Sequence, residues 1–475
     1  MSRNLYLGAD IGVALELLPD MPAAAQFMWD QVAATDFDSR VGLLAAEAAA
    51  ARPDVIGLQE ATTWSCRPSP LSSPEPVFDF TEQFLAATEA AGVPYAVAEK
   101  DGEQALNPGY SIPSIPLLTK VEDPDTFQPL FGTDSAYCGF VIGDALLVRE
   151  DLAGAVQAAG TVEYAERYAI VPVVFTIDRG YAWADLDVAG TTVRAVTTHL
   201  ESLWSDGAVP PSATQAAQLA ADLASTTAPT IVIGDFNSDP RDPRGPEDPN
   251  PGGQPEAWSD CPAQPTSPTA QTADPACSAY WTMIAAGFAD SGPDALAPEN
   301  WTWGSSGDLA GPDPERLGVS LPQGNAAGFT DRLDYVFTRN GASATNALVI
   351  GNEWPDGDHM WDCDDPTQIA TTEASSALLA EANAGPAITG RGVCLPTDHA
   401  GLVVAVSIEA NPAASAPPLD ENSSLIRIDL LGWLLIILSV LLLLVILLVW
   451  GVYRLATRGR RRRRRAAAAA SSGAG

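Results

Sequence analysis

Hydrophobic positions along this chain fall into short runs separated by polar, turn-rich stretches, with one long helical pattern near the start and one unbroken apolar run near the end. Residues 39–60, SRVGLLAAEAAAARPDVIGLQE, open as a helix: Ser39 can cap it, alanine and leucine fill it, and the Pro53 region ends it. Val55, Ile56 and Leu58 then make a short apolar run that predicts a buried strand. Further strands are expected at 141–148, 170–177, 183–188, 192–198, 229–234, 333–338 and 402–408, with a helix over 212–225. Strands interspersed with helices predict a layered α/β domain. The stretch 239–276, rich in Pro, Asp, Gly and Gln, reads as a long insertion loop, and a second irregular insert covers 351–395. No internal repeat is visible.

The run at 430–452, LLGWLLIILSVLLLLVILLVWGV, contains no charge and no proline. At about 1.5 Å per residue it is long enough to cross a hydrocarbon core of roughly 30 Å. Trp433, Trp450 and Tyr453 flank it, where amphipathic rings favour the interface. Arg454, Arg458 and Arg460 to Arg465 follow it, which predicts a cytoplasmic tail over 453–475 and an outside location for the preceding chain. Residues 409–424 have linker composition. The opening MSRNLYLGAD carries no basic segment followed by an apolar one, so the reading frame is expected to start further upstream, with an export signal.

Charge changes the picture of partners. The formal net charge is −35, although nine of the 25 basic residues lie beyond residue 425. The domain before the apolar run is therefore strongly acidic and repels polyanions, which disfavours non-specific DNA binding and leaves nucleic acid an open question as a partner. Six cysteines (Cys66, Cys138, Cys261, Cys277, Cys363 and Cys394) form no CxxC pair. With three histidines in the chain they make a poor zinc site; they read either as disulfides, in any of fifteen pairings, or as buried thiols.

The candidate chemistry lies where polar side chains interrupt apolar strands. Glu60 ends DVIGLQE, His199 sits in TTHLES, and Asp235 and Asn237 sit in IVIGDFN. Asp334 sits in DRLDYVF, and Asp398 with His399 in PTDHAGLVV. An Asp or Asn after a strand is often only a turn former, but seven such residues converging on strand ends suggest one cleft. Glu60 suits a hard cation such as Mg²⁺. Asp235 could orient or deprotonate a water, Asn237 could donate to a phosphate oxygen, and His199 could hold another oxygen or assist proton transfer. His399 paired with a carboxylate could serve as charged stabiliser or general acid–base. Four acids brought together repel one another, which calls for a cation.

In the order RNLYLGAD, DVIGLQE, TTHLES, GDFN, DRLDYVF and TDHAGLVV, these segments resemble the endonuclease/exonuclease/phosphatase family over about residues 3–408. The resemblance implies a four-layered α/β/β/α sandwich of two packed mixed sheets as the catalytic domain, 1–408, followed here by the linker and one C-terminal transmembrane helix. It implies that Asn4 helps arrange phosphate and metal, that Glu60 and Asp398 lie on the metal side, and that Asp235 and Asn237 activate water and bind phosphate. Asp334 would orient the catalytic His399. His199 resembles the histidine of the nuclease, sphingomyelinase and phosphatase branches. The cofactor implied is Mg²⁺, with Mn²⁺ as an alternative. The function expected is an extracytoplasmic, membrane-anchored phosphodiesterase or phosphatase, with a lipid phosphodiester as one candidate substrate. The alternatives are an extracellular nuclease and a non-catalytic surface binding module. Two departures stand out: only Met1 to Arg3 precede Asn4, so the first strand is expected to be incomplete, and the inserts replace the substrate-selecting loops of relatives.

Overall fold

A computed structural model describes residues 1–118, 129–133, 135–171, 175–203, 209–244, 260–265, 267–304, 307, 309, 314–325, 327–352, 361–362 and 393–419. The expected membrane span at 430–452, the tail at 453–475, the end of the linker, part of the first insert and most of the second lie outside these residues. No described helix is long and apolar enough to cross a membrane. Met1–Glu421 form one compact unit.

Two mixed sheets pack face to face. The strands that matter below are β1 (Ser2–Asn4), β2 (Val55–Arg67), β3 (Tyr137–Arg149), β4 (Gly180–Val188), β5 (Thr191–His199), β6 (Thr230–Asp235), β7 (Asp334–Arg339) and β8 (Gly401–Ile408). The first sheet runs Ala342–Ile350, β8, β1, β2, β3 and Tyr95–Val97. The second runs Ala289–Asp290, β7, β6, β5, β4 and Val156–Glu163. β1 is three residues long, yet it is interior: it runs parallel to β2 and antiparallel to β8.

Helices α1 (Ile11–Glu16), α2 (Met21–Ala34), α3 (Phe37–Ala51) and α4 (Phe80–Ala90) accompany the first sheet, and α5 (Pro211–Asp222) and α6 (Ala279–Ala285) the second. Trp29, Val32, Leu44 and Phe84 pack with Ile56, Leu58 and Leu147 in one core cluster; Leu219 and Met283 pack with Val196, Val232 and Phe337 in another. Between the sheets lies a third cluster of small and aliphatic residues, including Leu146, Val148, Ala182, Ala184 and Ala195. Each fully buried leucine or valine of this kind contributes roughly 1.5–3 kcal/mol. The sheets approach closely at Gly57, where a Cβ would meet Thr197 Oγ1 at 2.6 Å and Ile233 Cγ2 at 2.8 Å.

Two sequence expectations need correction. Ser39 does not cap α3: Asp36 does, accepting the Ser39 backbone N–H at 3.3 Å, because the helix begins two residues earlier than its alanine-rich stretch suggests. The 170–177 run is two short antiparallel strands, Tyr168–Val171 and Phe175–Ile177, and not one. Trp301 is 3% exposed in a small core with Leu317 and Phe329. Cysteines are paired, Cys66 with Cys138 and Cys261 with Cys277, and Cys394 is also in a disulfide.

Candidate active site

Strand register brings three of the expected residues into one row. His199 ends β5 directly opposite Asp235 of β6, and Asp235 stands opposite Asp334 of β7. Asn4 ends β1 opposite Gln59, and the next residue, Glu60, lies in the register break of β2 between Leu58 and Ala61 with φ +55°. That bulge turns Glu60 towards the strand ends. Asp398 and His399 lie just before β8, the neighbour of β1. The sheet that carries Asn4 and Glu60 and the sheet that carries the His199–Asp235–Asp334 row thus open on one cavity of about 180 Å³, lined by Glu60, His199, Asp235, Asn237, Asp398 and His399 among others. Asn4 and Asp334 lie behind that lining.

Asp235 is the hub. Its Oδ1 accepts the Asn237 backbone N–H at 2.9 Å, and its Oδ2 accepts Asn4 Nδ2 at 3.1 Å. The Nε2 atoms of His199 and His399 approach the same Oδ2 at 3.6 and 3.5 Å, beyond a direct hydrogen bond. Burial, with Asp334 and Glu60 adding to it against His399, pushes the Asp235 carboxyl up to about 7. Asp334 accepts His399 Nδ1–H at 2.9 Å. Burial works against charge on His399, but Asp334, Asp235 and Asp398 outweigh it and push the imidazole up to about 10. His399 is thereby a cation with Nε2–H facing Asp235.

Glu60 is held from two sides, accepting Asn4 Nδ2 at 3.3 Å and the Leu7 backbone N–H at 2.6 Å. Asp398 accepts Trp303 Nε1 at 3.4 Å. Burial, and then the Glu60 charge, push Asp398 up to about 6 against the opposing pull of His399. Among the described residues neither carboxylate forms an ion pair with arginine or lysine. Asn237 commits one amide hydrogen to Leu200 O at 2.8 Å, which leaves its second for a ligand.

A match to the model of the Endonuclease/Exonuclease/phosphatase family spans residues 30–399. The chain belongs to this family. Endonuclease/exonuclease/phosphatase proteins are phosphoester hydrolases that generally depend on a divalent metal, and the hydrolase class of this member follows from its membership. No curated protein matches the sequence. Among solved structures it is similar to a family protein from Leptotrichia buccalis C-1013-b, 13% identical, covering 86% of this chain and 99% of that one at a TM-score of 0.41. It is also similar to the mannosyl-6-phosphatase of Bacteroides thetaiotaomicron VPI-5482, 12% identical over 86% of this chain and 98% of that one, TM-score 0.41. A humanized D. rerio TDP2 is 14% identical over 78% and 92% of the two chains, TM-score 0.34.

The family fold supplies two donor sets for a cation here. Asp235, Asp334 and His399 offer one ligand atom each within 4.8 Å of one another. In that set His399 Nδ1 is already engaged by Asp334, and an imidazolium has no lone pair to give a metal. Glu60 and Asp398 are oxygen donors that no arginine or lysine ion pair engages among the described residues, which fits a hard cation better.

Several lining residues of this endonuclease/exonuclease/phosphatase site escape sequence reasoning. Arg179, just before β4, is 7% exposed and lines the cavity with Tyr110, Glu201 and Asp10. Burial works against its charge, but Glu201, Tyr110 and Asp144 hold the guanidinium positive. An arginine in a turn is an ordinary surface residue by pattern, so nothing local marks it. Asp144 did carry a signal, a charge inside the apolar run VIGDALLV. It is 3% exposed, and burial raises its carboxyl well above the usual range.

Proposed function

We propose that this protein is a divalent-cation-dependent phosphoester hydrolase that acts outside the cytoplasm, tethered by residues 430–452. The observation that carries the catalytic reading is that His199 and Asp235 of one sheet meet Glu60 and His399 of the facing sheet in one cavity, with Asp334 and Asn4 holding them from behind its lining. Asp235, with a carboxyl near neutrality, takes the proton of an attacking water. His399, held by Asp334, presents a charged Nε2–H to a phosphoryl oxygen as charge develops there. His199 Nε2 and the free Asn237 amide hydrogen orient the remaining oxygens, and Asn4 fixes Asp235 against Glu60. Glu60 and Asp398 would hold the cation, Mg²⁺ or Mn²⁺, which when bound polarises a phosphoryl oxygen.

Support for the location is compositional and covalent. Disulfides at Cys66–Cys138 and Cys261–Cys277 belong to oxidising compartments, and the apolar run with its following arginines orients the domain outward. A net charge of −35 favours a compact phosphoester, a sugar phosphate or a lipid headgroup, over duplex DNA. A substrate panel on the full chain separates these readings: sugar phosphates, choline phospholipids and DNA, each with Mg²⁺ and with chelator. Cation-dependent turnover of the small or lipid esters, tenfold or more above DNA, is the expected outcome on the order of one unit of log rate. Preferential cleavage of DNA would overturn the substrate reading, and accessibility of the domain only to cytoplasmic protease would overturn the location.

A further inference from the structure

His199 is usable in three states, and the side chains around it select one. Its Nε2 faces the reaction centre, 3.6 Å from Asp235 Oδ2. Behind the ring, Nδ1 lies 3.0 Å from an Arg179 guanidinium nitrogen and 3.9 Å from Asp144 Oδ1. Guanidinium nitrogens only donate, so a 3.0 Å contact with Arg179 requires a lone pair on Nδ1 and places the ring proton on Nε2. A carboxylate at the same position would select the opposite arrangement, Nδ1–H or an imidazolium. His399 is built in that other way, with Asp334 at its Nδ1. One site therefore holds two imidazoles with contrary backing, an arginine behind His199 and a carboxylate behind His399.

Arg179 is fixed for this task. Its Nε is 3.6 Å from Glu201 Oε2, and its guanidinium lies 5.5 Å from the Tyr110 ring centroid. Glu201 is fully buried and its other oxygen accepts the Leu203 backbone N–H. Asp144 Oδ1 is buried without a hydrogen-bond partner, so it stands ready to take Nδ1–H if the arginine is removed. The charged and titratable groups facing His199 are Arg179, Asp144, Asp235 and His399, with Glu201 acting through Arg179. Burial, then Arg179 and His399, lower the His199 pKa well below its usual value.

We propose that Arg179 is a positioning residue that locks His199 as the neutral tautomer with its proton on Nε2, so that His199 serves as a hydrogen-bond donor to the substrate's phosphoryl group and never as its acid. The role in turnover rests on the phosphoesterase reading of the cavity; the tautomer does not.

Two-bond ¹H–¹⁵N correlation spectra of the histidine-labelled full chain, without substrate, test it. The three histidines are resolved by assigning His199 through a His199→Gln variant. The expected spectrum has one protonated and one unprotonated nitrogen in the Nε2–H pattern, unchanged between about pH 5 and 8. An imidazolium or an Nδ1–H pattern in that range overturns the proposal. In Arg179→Met, His199 should move to Nδ1–H or titrate, a new limb should enter the pH profile of kcat, and kcat should fall ~10²-fold. Arg179→Lys, which keeps a donor, should restore the wild-type tautomer and most of kcat. A folded Arg179→Met with wild-type tautomer and pH profile also overturns the proposal; if that variant fails to fold, the wild-type spectrum decides alone. A correct tautomer in a protein that hydrolyses no phosphoester sinks the functional reading and leaves the role of Arg179 in place.

Discussion

Asp334 never reaches the cavity, yet it sets what His399 can do. It is fully buried, accepts Nδ1–H at 2.9 Å, and so keeps the charged ring aimed at Asp235. Replacing it with asparagine keeps the shape and removes the charge, so the imidazole falls back towards its ordinary range and can rotate. Asp334→Asn should lower kcat by ~10²-fold or more with little change in KM, as loss of acid–base function typically does. A variant with wild-type kcat would remove Asp334 from the mechanism. The residues at this scale are legible in the sequence when they break an apolar strand, as His199, Asp235 and Asp334 do. Arg179 and Tyr110 are not, because their role arises from strands distant in sequence meeting at one point. Asp144 lay between: its charge within VIGDALLV was visible, but its partner was not.

Among the elements, α3 carries more of the site than its alanine-rich sequence suggests. Arg40, fully buried, donates to the carbonyls of Leu5, Tyr6, Thr35 and Pro396, so it joins the exit of β1 to the segment leading into Asp398 and His399. Arg3 donates to His399 O at 2.7 Å and pairs with Glu47 of the same helix. The helix itself was readable from 39–51, but its start was not, because the Asp36 cap precedes Phe37 and an apolar residue at the first turn looks like loop packing. Capping decides between the two readings. Asp36→Ala should lower unfolding free energy by about 1 kcal/mol, while Ser39→Ala should change it by less than about 0.5 kcal/mol. The reverse order in urea unfolding would return the cap to Ser39. The strand pattern was readable wherever runs are apolar, but alternation fails for 170–177, whose two strands fold back on each other.

At the scale of the molecule, the beginning of the first insert is clamped by buried ions that no pattern announces. Asp239 accepts two bonds from the Arg241 guanidinium, at 2.7 and 2.8 Å, and the Arg332 backbone N–H at 2.8 Å. Arg244 spans Asp242 and Asp331, and Arg316 reaches Asp331 at 3.2 Å while lying 4.5 Å above Trp303 at the cavity. Burial opposes the Asp239 charge, but Arg241 and Arg244 outweigh it and hold the carboxyl down to about 2. An unfolded Asp titrates near about 3.9, so between these values the unfolded chain binds more protons and stability rises with pH. The contribution, roughly 2–3 kcal/mol, is fully present above about pH 4 and is lost as pH falls through about 2. The unfolding free-energy difference between wild type and Asp239→Asn should shrink by that amount across the window. A difference independent of pH would contradict the clamp. In the sequence this segment reads only as a polar loop, SDPRDPRG, because burial of a charge depends on what folds over it.

The most direct measurement of the central claim is hydrolysis of a chromogenic phosphate ester by the full chain with Mg²⁺, compared with chelator and with Asp235→Asn and His399→Ala. The account predicts turnover that chelator abolishes and that each substitution lowers by ~10²–10⁴-fold, with unchanged melting. Undiminished hydrolysis by either variant, or full activity in chelator, would contradict it.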